Sequence, residues 1–351
     1  MSAKDDVLVV AEETVKRCLP INLAAEDKAL IAHEAIKHFR EIRSTRLSGV
    51  QVSSTGYLAR SWQPMEEGFA ESPSGLRRGI AMGRGVWQAL SSRQSAVVDR
   101  ALFVTDESSN GFFHWICDVL PRLEALQAQA EGEMASRRLV IPAMAMFAYV
   151  QESLLPFPIQ GTALVKAGER VLCRDLLVIP GLAPTGNYRP GFMAALRERM
   201  RSFFSIHADN RRIFISRAQA PRRRIANEAA LGPVLRRHGF EQAVLEDLSF
   251  AAQIRLVGSG AVLVGSHGAG LTNMCWMTTG SRVLELRRRG DARNNCYFSL
   301  ASALGLPYWY MLCEPVEPSQ DSHVGDLFVN PDGLDRILTD MLKAVDVESE
   351  A

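Results

Sequence analysis

The stretch Ala261-Val262-Leu263-Val264-Gly265-Ser266-His267-Gly268-Ala269-Gly270-Leu271-Thr272-Asn273 constrains the fold more than any other part of the chain. Its opening run of small and β-branched apolar residues reads as a buried strand. Gly-Ser-His-Gly-Ala-Gly is too small and flexible to continue that strand, and Leu271 to Met277 reads as a helix. Buried strand, Gly-rich turn and helix N-terminus together make a place where backbone N–H groups can face an anion. The glycines leave room for a ligand to approach the backbone closely. The spacing is neither the dinucleotide fingerprint G-x-G-x-x-G nor a P-loop. A tight turn that binds nothing fits the same residues, so the neighbouring elements have to decide.

Those neighbours form a regular series. Arg212 to Arg217 reads as a strand, and Asn227 caps a helix ending near His238-Gly239. Val244 to Glu246 reads as a short strand, and Ser249 caps a helix to Val257 that Gly258 closes. Arg282 to Leu286 is a strand, Asn295 to Leu304 a helix, Pro307 to Leu312 a strand, and Asp332 to Val345 a terminal helix. Strands alternating with helices predict a doubly wound, mostly parallel sheet. Upstream, Ala101 to Thr105, Arg138 to Ile141 and Val171 to Ile179 read as strands. Phe112 to Leu123 reads as helical with Pro121 kinking it or opening a second helix, and Phe147 to Leu155 as another helix. Leu30, Ile31, Ala35, Ile36 and Phe39 stand near helical spacing, which predicts an amphipathic helix over residues 24–42. Residues 48–90 are rich in Gly and Ser and give no clear element.

Pro184, Gly186, Pro190 and Gly191 mark the best domain boundary, and Phe192 to Phe204 is a helix leading onward. The resulting organisation is 1–95 as an N-terminal helix and unassigned segment of the first domain, and 96–183 as a first Rossmann-like domain. A linker and helix follow at 184–207, then a second Rossmann-like domain at 208–315 and a C-terminal tail and helix at 316–351. The chain has 351 residues, enough for two such domains. Net charge of +1 gives no overall pull toward nucleic acid or membrane. The six cysteines are scattered without a C-x-x-C pair, which fits a reducing compartment rather than a zinc ribbon. Met1 to Asp6 is polar with no apolar h-region, and the run Leu139 to Val150 contains Pro142 and is too short to span a bilayer. The expectation is a cytoplasmic protein.

In a parallel α/β sheet, ligands sit at the C-terminal ends of the strands. There the second domain places Ser216 and Arg217 with the basic loop Arg222-Arg223-Arg224, then His267 to Asn273, then Glu285. Arginines beside a helix N-terminus suit a diphosphate, and a carboxylate such as Glu285 suits ribose or sugar hydroxyls. A solvated Arg loop, a surface ion pair of Glu285 with Arg287 or Arg288, and a structural His267 are the plain alternatives. In the first domain His114 and Asp118 are four apart, so on a helix they share a face and can hydrogen-bond. Such a pair offers a general base or merely holds the helix. No D-x-D metal motif, nucleophile elbow or Walker A occurs.

These residues resemble glycosyltransferase family 61, in its bacterial capsular-polysaccharide branch. Three blocks carry the likeness: Asn110-Gly111-Phe112-Phe113-His114-Trp115 with Asp118 and Leu120-Pro121-Arg122-Leu123; Ile215-Ser216-Arg217 with Arg224 and Asn227-Glu228; and His267-Gly268-Ala269-Gly270-Leu271-Thr272-Asn273 with Gly280 and Glu285. They cover roughly residues 100–312. The resemblance implies an α/β, GT-B-like fold of two Rossmann-like domains facing a cleft. It also implies metal-independent, inverting transfer from a nucleotide sugar, with no cofactor. Ser216, Arg217, Arg224, His267, Gly268, Ala269, Gly270, Leu271, Thr272, Asn273 and Glu285 would bind the donor. The first domain would hold a glycan or lipid-linked glycan acceptor, with peripheral membrane association only through it. His114 is the favoured base with Asp118 orienting it, and the reverse assignment stays open. Two rivals remain: a non-catalytic nucleotide-sugar-binding or scaffold protein of the same fold, and a poorer serine hydrolase using Ser266 and His267.

Overall fold

The computed structural model describes residues 7–61, 63–65, 79–80, 83–84, 86–87, 91–106 and 108–349, the side chains of Met144 and of 344–349 excepted. Met1–Asp6, Glu107 and most of 66–90 lie outside the described residues, so the polar N-terminus and part of the turn before Gly111 remain sequence readings. Two compact units divide the chain. One comprises Met1–Val15 and His38–Leu196, the other Lys16–Lys37 and Arg197–Ala351.

The first unit is built on a seven-stranded mixed sheet. Its strands in chain order are β1 (Thr45–Ser53), β2 (Leu58–Arg60), β3 (Gln63–Pro64), β4 (Arg93–Phe103), β5 (Arg138–Pro142), β6 (Thr162–Val165) and β7 (Glu169–Val178). They lie in the order β6-β5-β4-β7-β1-β2-β3. β4 to β7 are parallel to one another, while β1, β2 and β3 extend the sheet antiparallel from β7. The sequence reading of mostly parallel order therefore holds for four strands. The other three come from the stretch it left unassigned. Val50, Val52, Val98, Phe103, Val171 and Val178 meet in one buried cluster. Among the parallel strands the order is third, second, first, fourth, so the winding reverses between β4 and β7. Helices α1 (Leu120–Ala135) and α2 (Ala148–Leu154) belong to this unit, and α3 (Pro190–Phe203) carries the chain into the next.

The second unit follows its sequence pattern more closely. Strands β8 (Arg211–Ile215), β9 (Phe240–Ala243), β10 (Gly260–Ser266), β11 (Arg282–Arg288) and β12 (Tyr308–Pro315) are parallel, and β13 (Leu327–Phe328) adds an antiparallel edge. The order is β9-β8-β10-β11-β12-β13. Here the winding reverses between β8 and β10, and an open α/β sheet binds its ligand at such a switch point. Every residue of β11 from Arg282 to Arg287 is buried, as expected for a parallel strand covered on both faces. Helices α4 (Glu228–Arg237) and α7 (Pro331–Ser349) cover one face, where Leu231, Leu235, Leu334 and Leu338 pack on Val262, Val264, Leu284 and Leu286. Helices α5 (Phe250–Gly258) and α6 (Cys296–Ala303) complete the unit.

Several local readings need correction. Residues 24–42 do not form one helix: Lys28–Ile31 is a single α turn, Ala32–Glu34 a 3-10 turn, and Ile36–Phe39 and Ile42–Arg43 are strands. Of the five apolar positions only Ile31 and Phe39 are buried, and Ile36 is 55% exposed. Polar contacts hold the segment instead. Arg17 pairs with Glu34, and Asn22 and Asp27 bond to Tyr310, so Lys16–Lys37 falls in the second unit, while residues 38–42 stay with the first. The short strand ends at Ala243, and Leu245–Asp247 is a 3-10 turn. Asn227 precedes α4 but gives its side chain to the backbone of Val329, leaving the cap without a side-chain bond. Ser249 does cap α5, accepting from the Ala252 amide. Residues 181–189, read as a linker start, pack within the first unit, where buried Arg189 donates to the Leu182, Ala11 and Arg40 carbonyls.

Candidate active site

In the second unit, β8 delivers Ser216 and Arg217 to the switch point. The Ser216 hydroxyl donates to Glu228 Oε1 and the Arg217 amide to Oε2 at 3.2 Å. Ser216 thus shapes the loop, and Glu228, the first residue of α4, is its anchor. The Arg217 side chain is pinned by two carbonyls, Nε to Arg223 O at 2.9 Å and Nη2 to Arg222 O at 2.8 Å. Its Nη1 lies where a Cβ on Gly268 would come within 2.5 Å. The close approach that this glycine permits is therefore made by the protein's own guanidinium.

The sequence presents Arg223 only as one member of the Arg222-Arg223-Arg224 loop, with Arg224 taken as its donor-binding residue. Its backbone is left-handed at φ +55°, an arrangement costing roughly 1–3 kcal/mol for a non-glycine residue and typical of functional loops. Its Nε is buried with no hydrogen-bond partner. Burial first, and the Arg223 charge second, push the Arg217 guanidinium below its ordinary value. Burial and Arg222 do the same to Arg223, against the pull of Tyr297. Among the described residues no carboxylate forms an ion pair with either guanidinium. Glu246 and Glu285 act on them only at a distance, so two desolvated cations lack a paired counter-charge, and a bound dianion would supply one. Arg224, by contrast, gives its amide to Asp326 Oδ1 at 2.8 Å and its Nε faces Oδ2 at 3.5 Å. Which of three consecutive arginines turns inward depends on one positive φ, which the sequence does not announce.

β10 ends at Ser266 and the next residues carry His267. The segment Ala269–Trp276 is a 3-10 helix rather than an α-helix. Leu271, Thr272 and Asn273 are buried within it, and Asn273 bonds Gln253, the Gly270 carbonyl and Trp276. They are scaffold, leaving His267, Ala269 and Gly270 at the surface of the turn. Glu285 is wholly buried and does not reach a ligand hydroxyl; its Oε1 meets His267 Nδ1 at 2.5 Å. Ser266 is buried and its hydroxyl has no partner, so it forms no nucleophile pair with His267.

In the first unit, the chain leaving β4 forms one α turn at Phe112–His114, a π-helical turn at Trp115–Val119, and then α1. Pro121 stands in the first turn of α1, having no N–H to give to the turn before it. The π turn accommodates that gap, and such turns recur at functional sites. Trp115, fully buried, anchors it through Nε1 to Ser153 at 2.8 Å. The expected pair forms: His114 Nδ1 lies 2.8 Å from Asp118 Oδ2, which also accepts from the Thr185 hydroxyl at 3.3 Å. The hydrogen bond to Asp118 raises the His114 pKa against the opposing effect of burial, with the charges of Asp118 and Asp106 adding to the rise. The side chains are 32% and 12% exposed, so His114 is the more accessible member. Behind them Arg122 and Asp106 form a buried ion pair, and Arg122 Nη1 holds the Val104 carbonyl at 2.8 Å. A small cavity of about 20 Å³, room for about one water, lies alongside, lined by Asp118, Arg122, Thr185, Asn187, Tyr188 and Arg189. It sits where the loops following β4 and β7 meet, at this sheet's own switch point.

Among the described residues no three His, Cys, Asp or Glu side chains converge as a metal site. The family model described as Glycosyltransferase 61 matches residues 112–284. This segment belongs to that family. The glycosyltransferase 61 segment opens at the His114 turn, contains the Arg217–Arg223 loop and His267, and ends in β11 one residue before Glu285. Two curated relatives are EGF domain-specific O-linked N-acetylglucosamine transferases, from Bos taurus and Gallus gallus. They are 36% and 35% identical over 63 residues. Those residues are 18% of this chain but only 12% and 11% of the relatives' own lengths.

Proposed function

We propose that the chain is an inverting glycosyltransferase that moves a sugar from a nucleoside diphosphate donor to a glycan acceptor, free or lipid-linked. In this reading the two units take a GT-B arrangement, the second binding the donor and the first the acceptor. The observation that carries it is the Arg217–Arg223 pair, two partly buried guanidiniums with no carboxylate ion pair among the described residues, at a sheet switch point. The vertebrate relatives are named for N-acetylglucosamine transfer, which makes that sugar the first donor to test.

The chemistry follows from the residues. His114, unprotonated on Nε2 and oriented through Nδ1 by Asp118, takes the proton of an acceptor hydroxyl. The oxygen attacks the anomeric carbon from the face opposite the leaving group. The bond to the diphosphate breaks, its electrons stay on phosphate, and the configuration inverts. Arg217 and Arg223 meet the charge that develops on the leaving oxygen, the role a metal ion fills elsewhere. No helix among the described residues is long and apolar enough to cross a membrane.

Thermal unfolding with nucleoside diphosphates and their sugars in excess chelator tests the donor half of this reading. A ligand at 100 times its Kd stabilises the protein by about 2.7 kcal/mol, and we expect that gain to persist with chelator present. Stabilisation that appears only on adding manganese or magnesium would contradict a purely arginine-based site.

A further inference from the structure

A chain of buried polar groups runs beneath the donor loop. Glu285 Oε1 meets His267 Nδ1 at 2.5 Å, and Glu285 Oε2 accepts from the Tyr308 hydroxyl at 2.5 Å. Arg287 Nη1 reaches the Tyr308 hydroxyl at 3.5 Å, while its Nη2 donates to Asn295 Oδ1 at 2.8 Å and to the Asp291 carbonyl at 3.0 Å. Strand register explains the meeting. Glu285 stands opposite Tyr310, so Tyr308 is its diagonal neighbour on the same face of the sheet. The Tyr297 ring packs edge-on to the imidazole at 5.0 Å and fixes its plane.

The protonation pattern follows from the carboxylate. Burial alone would raise the Glu285 pKa, but the hydrogen bond from His267, the Arg287 charge and the Tyr308 hydroxyl together hold it below its ordinary value. An ionised carboxylate only accepts, so the proton in the short contact belongs to Nδ1. In the neutral ring that leaves a lone pair on Nε2, which takes no partner among the described residues on a side chain 16% exposed.

We propose that Glu285, Tyr308 and Arg287 are positioning residues that lock His267 as its Nδ1–H tautomer, so that Nε2 accepts a hydrogen bond from a hydroxyl of the donor. The inference rests on the donor reading of the second unit. A phosphate oxygen has no hydrogen to offer this lone pair, whereas a ribose or sugar hydroxyl has. The division of labour is then clear: Arg217 and Arg223 take the diphosphate, and His267 reads a hydroxyl. The carboxylate expected to bind that hydroxyl acts one residue removed, through the imidazole it holds.

Two measurements test this. Long-range proton–nitrogen spectra of the ligand-free, 15N-labelled protein report the His267 tautomer, with the signal assigned by its loss in His267→Asn. We expect a protonated Nδ1 and a bare Nε2 in the wild type, and a mixed signal in Glu285→Gln, with Tyr308→Phe between them. A protonated Nε2 in the wild type, whether or not Nδ1 also carries a proton, would overturn the proposal, and that reading needs no variant to fold. Calorimetric titration with uridine diphosphate, 2′-deoxyuridine diphosphate and uridine diphosphate N-acetylglucosamine tests the hydroxyl. His267→Ala should raise Kd up to about tenfold, the cost of one neutral hydrogen bond. A loss shared by the two ribose ligands but absent for the deoxy ligand identifies ribose, and a loss confined to the sugar nucleotide identifies the transferred sugar. Unchanged Kd for all three overturns the hydroxyl assignment. If the wild type binds none of them and no other nucleoside diphosphate, the donor reading fails and takes the hydroxyl with it, while the spectra still decide the lock.

Discussion

Replacing Arg217 and Arg223 together by alanine is expected to raise the Kd for a nucleoside diphosphate at least about 100-fold. Each charge-assisted hydrogen bond is worth roughly 1.5–3 kcal/mol. Two that share one ligand are not strictly additive, so the lower bound of about 3 kcal/mol is the safer expectation, and it corresponds to about two decades in Kd. The variant should fold at least as well as the wild type. It loses a desolvated like-charge pair, which offsets the bonds Arg217 gives up to the Arg222 and Arg223 carbonyls, while alanine at 223 keeps the left-handed backbone. Arg224→Ala is the control, because that side chain faces Asp326; it should leave Kd nearly unchanged. Isothermal titration of the three proteins decides the matter. Equal losses in Arg224→Ala and the double variant would mean that the loop acts as a general positive surface and not as a shaped site.

The second large effect is on turnover. His114→Ala should lower kcat by about 10²–10⁴, the usual contribution of a general base, with donor Kd unchanged because the proposal assigns donor binding to the second unit. The pH profile carries the same assignment. A base works unprotonated, and Asp118 raises the His114 pKa above 6.5, so kcat should rise with pH through that raised value. Asp118→Asn removes the charge and leaves at most a neutral, weaker hydrogen bond, and should move the rising limb to lower pH. The sign for stability is the opposite. A raised pKa stabilises the folded state fully below about pH 6.5, and that contribution fades as the pH climbs through the folded value. If Asp118→Asn costs far more turnover than His114→Ala, the carboxylate is the base and the imidazole its partner. Near-normal turnover in both variants would make the pair a support for the π turn.

The second unit was the more legible in the sequence because its parallel strands are buried on both faces. Runs such as Ala261 to Val264 therefore announce themselves without competing patterns. The His114–Asp118 contact was legible for a similar reason: spacing of four residues on a helix is a strong geometric constraint, and it survives the π turn. What the sequence hid was tertiary. Residues 24–42 carry helical apolar spacing, yet Arg17, Glu34, Asn22 and Asp27 make polar contacts that no periodicity reveals. The antiparallel strands over 45–64 alternate weakly, with Gly49 left-handed inside β1 and Gly56 left-handed in the turn that follows it. Among the site residues, Glu285 looked like a ligand group because it sits near a strand end. One residue of strand phase instead puts it in the interior, under His267. Arg223 could have been singled out only by its backbone angle. Gly268 was rightly read as a site of close approach, but the group that approaches is Arg217.

The account's central claim is that this protein transfers a sugar with inversion, and the anomeric configuration of the first product tests it most directly. The protein is incubated in excess chelator with nucleoside diphosphate sugars of known configuration, beginning with N-acetylglucosamine, together with glycan acceptors. The anomeric proton coupling is then followed by NMR from the earliest time points. The account predicts release of the nucleoside diphosphate and a product of opposite anomeric configuration, with His114→Ala slowing its appearance while donor Kd holds. A product that retains the donor's configuration would contradict the single displacement, and tight donor binding without turnover on any acceptor would contradict catalysis itself.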